Sequence, residues 1–107
     1  MSIDSTYAKY VNLEKERVNA IYALARLERN CFLCSELTEQ IHNLMETVYG
    51  IEKVNKPLLR YKEEKNQNPL LDISDLIVSL DFDAERIQLY GKWKEYKRIR
   101  KRLLTLI

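Results

Sequence analysis

LARLERNCFLCSELTEQIHNLMETVYGI, residues 24–51, carries the pattern that decides the fold. Its apolar residues Leu24, Leu27, Cys31, Cys34, Leu37, Ile41, Leu44, Val48 and Ile51 follow one another at steps of 3, 4, 3, 3, 4, 3, 4 and 3. An α-helix turns once in 3.6 residues, so this rhythm lays a continuous apolar stripe along one face. Within the stripe, Cys34, Ile41 and Val48 keep an interval of seven residues, and so do Leu37, Leu44 and Ile51. Such an interval is the seam of a helix packed against another long helix, which gives the segment coiled-coil character.

The stripe extends upstream through Tyr10, Leu13, Val18 and Ile21, and Asp4 or Ser5 can cap its start by accepting from free backbone N–H groups. No proline interrupts it, so one long helix is expected over residues 4–55. Gly50 lies inside this pattern and costs roughly 1 kcal/mol relative to alanine, so it either ends the helix or permits a close crossing. Pro57 is the firmer stop, because it pushes Lys56 out of the α region. It can also open a short helix over 57–66, PLLRYKEEKN. KNQNP at 65–69 then reads as a turn.

Residues 70–82 read two ways. Ser74 can cap a short helix through Leu80, while the alternation of Leu76, Val78, Leu80 and Phe82 also fits a strand. A lone strand has nothing to pair with among helices, so helix or extended loop is the preferred reading. A last helix is expected over 83–106 with Asp83 at its N-cap. Its wheel places Leu89, Trp93, Tyr96, Ile99, Leu103 and Ile107 on one face and Lys94, Lys97, Arg98 and Lys101 on the other.

The expected fold is therefore all-α: a single domain over residues 1–107, built as a long helix with shorter helices returning along it, a hairpin or bundle. Glycine and proline number only two each, too few for the many turns of a β domain. Helices of about 50 and about 25 residues would span roughly 75 and 38 Å, so the second could not cover the first. That mismatch makes a homo- or hetero-oligomer the expectation.

Charge is unevenly placed. Residues 84–107 hold eight basic residues against Glu85 and Glu95, a balance of +6, and the rest hold ten basic against fourteen acidic, a balance of −4. The cationic helix KWKEYKRIRKR could meet an acidic protein, nucleic-acid phosphates or an anionic surface. Cations near a helix C-terminus also complement its dipole, so a plain solvated face competes with any binding role. Arg100 falls within the apolar face, where an unpaired charge is costly, and so is expected to meet a carboxylate on another helix or chain.

Motifs for catalysis are sparse. Cys31 and Cys34 form a CxxC pair, but a structural zinc site needs four ligands, and the sequence adds only His42. On an unbroken helix both thiols sit mid-helix in the stripe, which reads as small buried apolar residues. His42 is the single histidine and has no Ser, Cys or Asp placed beside it. The segment DISDLIVSLDFD lacks the glycine and terminal glutamate of a calcium loop. Two glycines can build neither a phosphate-binding loop nor a nucleophile elbow. No catalytic residue, metal or cofactor is expected.

The sequence thus points to a non-catalytic helical protein–protein interaction module, a structural subunit or adaptor of a larger assembly. The expected interface comprises the stripe from Leu24 to Ile51 together with Trp93 and Arg100. The alternative is a nucleic-acid-binding helical domain that uses Lys94, Lys97, Arg98 and Lys101. No run of 18 apolar residues suggests a membrane span. Two cysteines and an N-terminus without a secretory pattern fit cytoplasm or nucleus.

Overall fold

In the computed structural model, which describes residues 3–54 and 68–107, the described residues form five helices. They are α1 (Ile3–Arg29), α2 (Ser35–Tyr49), α3 (Pro69–Phe82), α4 (Ala84–Leu89) and α5 (Trp93–Leu104), and residues 51–54 add a further helical stretch after α2. The all-α expectation holds. The short helix expected over 57–66 lies outside the described residues.

The long helix over 4–55 does not form as one element. It ends at Arg29, and Asp4 and Ser5 lie within α1 rather than at a cap. The break is a Schellman corner: the N–H of Phe32 donates to the Leu27 carbonyl at 3.1 Å and that of Cys31 to the Glu28 carbonyl at 3.0 Å. Cys31 takes the left-handed conformation this corner requires, with φ 52°. Leu33, just past it, is buried and pulls the corner inward. Gly50, at φ 98°, ends α2, and its N–H satisfies the Glu46 carbonyl at 2.9 Å.

The chain therefore doubles back. His42 on α2 reaches Glu28 on α1, and the positive charges of Lys53 and Arg86 act on Glu14 near the middle of α1. The Glu14 carboxyl is held below its usual range first by its bond to Arg17, 2.7 Å away, and further by these charges.

The ambiguous segment 70–82 is helix. Pro69 occupies the first turn, and the Asn68 side chain, not Ser74, caps it by accepting from the Leu70 N–H at 3.0 Å. Its buried residues keep to one face, but Leu70, Leu71, Val78 and Phe82 are apolar and exposed, which hides the 3.6 period in the sequence and imitates strand alternation. Ile73, Leu76, Ile77 and Leu80 pack against α1, where Ala20, Ala23 and Ala25 are buried and let the two backbones approach.

Three polar contacts tie these helices together. Asp72, fully buried, accepts from Arg26 Nε of α1 at 2.7 Å. Ser79 Oγ donates to Glu16 at 3.2 Å. Asp81 accepts from the Tyr96 hydroxyl and from Arg100 Nε at 2.8 Å, joining α3 to α5.

The last helix is also broken. Asp83 makes no side-chain cap bond, and a second Schellman corner closes α4. Here the N–H of Lys92 donates to Ile87 and that of Gly91 to Gln88, each at 3.0 Å, with Gly91 at φ 71°. The corner takes Leu89 out of phase with α5. Tyr96, Ile99 and Leu103 are buried as expected, whereas Leu89, Trp93 and Ile107 are exposed.

The most consequential correction concerns the stripe. Leu24, Leu27, Leu37, Ile41, Leu44 and Val48 belong to the chain's own core, each at most 3 % exposed. Folding at the Cys31 corner lets α3 and α5 cover what an unbroken helix would have left bare. The length mismatch that argued for a second chain is gone. Cys31, Cys34 and Ile51, expected in the same stripe, are exposed instead.

Candidate binding surface

Helix α5 sorts its charges by side. Arg100 faces inward onto both Asp81 oxygens, at 2.8 and 3.1 Å, so the carboxylate expected for it lies on α3 of the same chain. That bond raises the Arg100 pKa, and Tyr96, through burial and its bond to Asp81, is pushed up to about 12. Arg102 leans onto α2, reaching Gln40 Oε1 at 3.3 Å, Glu36 at 3.5 Å and Cys34 Sγ at 3.3 Å.

Lys94, Lys97, Arg98 and Lys101 are all exposed, and no carboxylate among the described residues forms an ion pair with them. Their spacing of three and four residues puts them side by side, where like charges repel by a few tenths of a kcal/mol per pair. Lys101, in the last turn, complements the helix dipole. Lys94 does not: it lies in the first turn, at the positive end, where Glu95 is the only acidic residue. Helix stability therefore explains Lys101 and leaves Lys94 unexplained.

Beside the start of this face lie large apolar side chains in solvent. Trp93 is 39 % exposed, Tyr90 50 % and Leu89 86 %. The Trp93 ring leans on Tyr96, with centroids 5.2 Å apart, which holds it at the surface. Leu89 shares an open groove with Phe82, Leu13 and Ala84. The Gly91 corner produces this exposure, because it turns Leu89 and Tyr90 away from the face that α5 buries.

A second cluster surrounds the α1–α2 corner. His42 Nε2 is 2.7 Å from Glu28 Oε1, and Nδ1 is 3.7 Å from Glu46 Oε1. The sequence reading left His42 without a partner. Glu46, four residues on, was legible from helix geometry, but Glu28 is brought near only by the corner. The Glu28 bond, with help from Glu46, raises the His42 pKa above 6.5. A histidine whose folded pKa is raised stabilises the fold fully below its unfolded value, and that contribution is lost as pH rises through the folded value. Stability should thus fall as pH rises from about 6.5. Urea unfolding of His42→Gln across that range should show a flatter pH dependence than the parent protein.

A hollow beside this cluster is lined by Cys31, Leu33, Thr38 and His42. Among the described residues, no group of three His, Cys, Asp or Glu is placed to hold a metal ion. No described helix is long and apolar enough to cross a membrane. Comparison with protein-family models, with curated proteins and with solved structures finds no match to this chain.

Proposed function

We propose that the protein is a non-catalytic helical binding module whose contact surface is the outer face of α5, and that its partner is an acidic protein surface. The observation that carries this reading is the row Lys94, Lys97, Arg98 and Lys101, solvent-facing and without an ion-pair partner among the described residues, next to exposed Trp93, Tyr90 and Leu89. Interfaces join aromatic anchors to complementary charge, and tryptophan, tyrosine and arginine are the residues that most often dominate their energetics. The apolar stripe takes no part in this reading, because it forms the core.

A second reading, nucleic-acid binding, draws on the same cations with Trp93 as a stacking platform. Exposed Leu89 and Phe82 favour a protein, since phosphates and sugars offer them little to bury against.

Trp93 is the single tryptophan, so its fluorescence reports on this face directly. Titration with an acidic amphipathic peptide should shift that emission, more weakly as salt increases. Replacing Lys94, Lys97, Arg98 and Lys101 by Gln should weaken binding at least tenfold while leaving the circular dichroism unchanged. Tighter, salt-steep binding of duplex DNA than of the peptide would replace the first reading by the second. A peptide response unaffected by the four replacements would remove both.

A further inference from the structure

We propose that Cys31 and Cys34 form a dithiol–disulfide pair that exchanges with a small anionic disulfide of the glutathione class. Both thiols are free and exposed, at one corner of the fold. Free cysteine is ordinarily among the most buried residue types, so packing does not account for either.

Nor does backbone conformation. Cys31 holds the left-handed position that Gly91 fills in the equivalent corner after α4. A side chain there costs about 1–2 kcal/mol. Cys34 holds the N-cap of α2, with φ −64° and ψ 151°, yet makes no capping bond. Serine, threonine, aspartate or asparagine at that position would add about 1 kcal/mol. Two neighbouring positions thus forgo stabilisation that another residue would supply, and what the two share is a thiol. The corner requires the conformation but not a cysteine, and a costly residue choice at a strained position is a sound start for a functional inference.

The surroundings suit the chemistry. Arg102 Nη2 lies 3.3 Å from Cys34 Sγ and places a positive charge where an incoming disulfide must approach. Glutathione disulfide carries carboxylates that this charge attracts. On the other side, the hollow lined by Cys31, Leu33 and Thr38 is open to solvent and gives the leaving group room.

The exchange proceeds in two displacements. The Cys34 sulfur, as thiolate, attacks one sulfur of the small disulfide. The S–S bond breaks, one small thiolate leaves, and a mixed disulfide forms on Cys34. The Cys31 sulfur, having lost its proton to water, then attacks Cys34 Sγ, forms the Cys31–Cys34 bond and expels the second small thiolate. The protein gives up two electrons and two protons, and the small disulfide leaves as two thiols. Oxidation closes a ring within one corner and links no distant elements. It does take the Cys34 thiol from Arg102, which binds α5 to α2.

The test is equilibration of the full chain with mixtures of oxidised and reduced glutathione, followed by acid quenching, alkylation and intact-mass analysis. The expected product at the oxidising end lacks two hydrogens and takes up no alkylating agent. Cys31→Ser should instead accumulate one glutathione adduct, mapped by peptide mass to Cys34. Arg102→Gln should slow oxidation by glutathione disulfide at least threefold and leave the rate with uncharged hydroxyethyl disulfide unchanged. Circular dichroism of each variant confirms that it is folded. Two thiols that both remain alkylatable at the oxidising end would overturn the proposal. So would a Cys31→Ser protein that forms no adduct on Cys34.

Discussion

Arg26→Met should destabilise the protein by about 3–5 kcal/mol, the largest effect expected from a single substitution outside the apolar core. Asp72 is fully buried, and its Oδ1 accepts from Arg26 Nε at 2.7 Å, while its Oδ2 has no hydrogen-bond partner. Methionine fills much of the arginine's volume but supplies neither charge nor hydrogen-bond donor. A carboxylate left in the α1–α3 interface has neither water nor a counter-ion to stabilise it. Single domains are stable by only about 5–15 kcal/mol, so the variant should lie near the edge of folding. Thermal unfolding should show a midpoint lowered by well over 10 °C, since about 1 kcal/mol moves it by roughly 4–8 °C at this size. Adding Asp72→Leu should recover most of the loss, because removing both charges leaves nothing unpaired. A double variant as unstable as Arg26→Met alone would show that the pair is not what the interface depends on.

Leu37→Asp with Leu44→Asp should abolish the fold itself. Leu37 and Leu44 are 3 % and 2 % exposed, on the face of α2 that joins the common core. Truncating one such leucine to alanine already costs about 2–5 kcal/mol. Two carboxylates placed in the apolar core add a desolvation penalty. Far-UV circular dichroism should show the helical signal largely lost at neutral pH. Were the stripe instead an interface between chains, the variant would stay helical and its mass by light scattering would drop. The two readings of the stripe therefore predict different observables from one protein sample.

Much of the fold was legible in the sequence, and the misses share a cause. Periodicity identifies which face is buried, and Leu24, Leu27, Leu37, Ile41, Leu44 and Val48 are indeed buried. It does not say what covers that face. The cover depends on where the chain turns, and the decisive corner carries no glycine or proline. Cys31 at φ 52° does what Gly91 does at φ 71°, without the sequence signal. Gly91 could have been read as a stop, but the wheel drawn across it placed Leu89 in the buried face. KNQNP reads as a turn and Ser74 as a cap, so the start of α3 at Asn68 and Pro69 was missed, and the exposed apolar residues Leu70, Leu71, Val78 and Phe82 concealed the helical period after it.

Of the candidate surface, Lys94, Lys97, Arg98 and Lys101 were legible as an outward face, and they are exposed. Arg100 was legible as a charge needing a partner. Asp81, nineteen residues earlier, could not be named, because that contact exists only once α5 lies on α3. The exposure of Cys31 and Cys34 was missed for the same reason as the corner. On an unbroken helix they belong to the stripe, whereas at a turn they face water.

The turn at Cys31 is the feature on which the rest depends, and a distance across it tests the account most directly. With Cys31 and Cys34 replaced by serine, spin labels on Lys15→Cys, midway along α1, and Lys53→Cys, just beyond α2, mark exposed sites on the two arms. Pulsed dipolar spectroscopy on the folded protein should give a separation below about 30 Å, the distance of helices sharing one core plus the label arms. A separation near 57 Å, the length of an unbroken helix at about 1.5 Å per residue, would contradict the account. It would return the stripe to the role of an interface between chains.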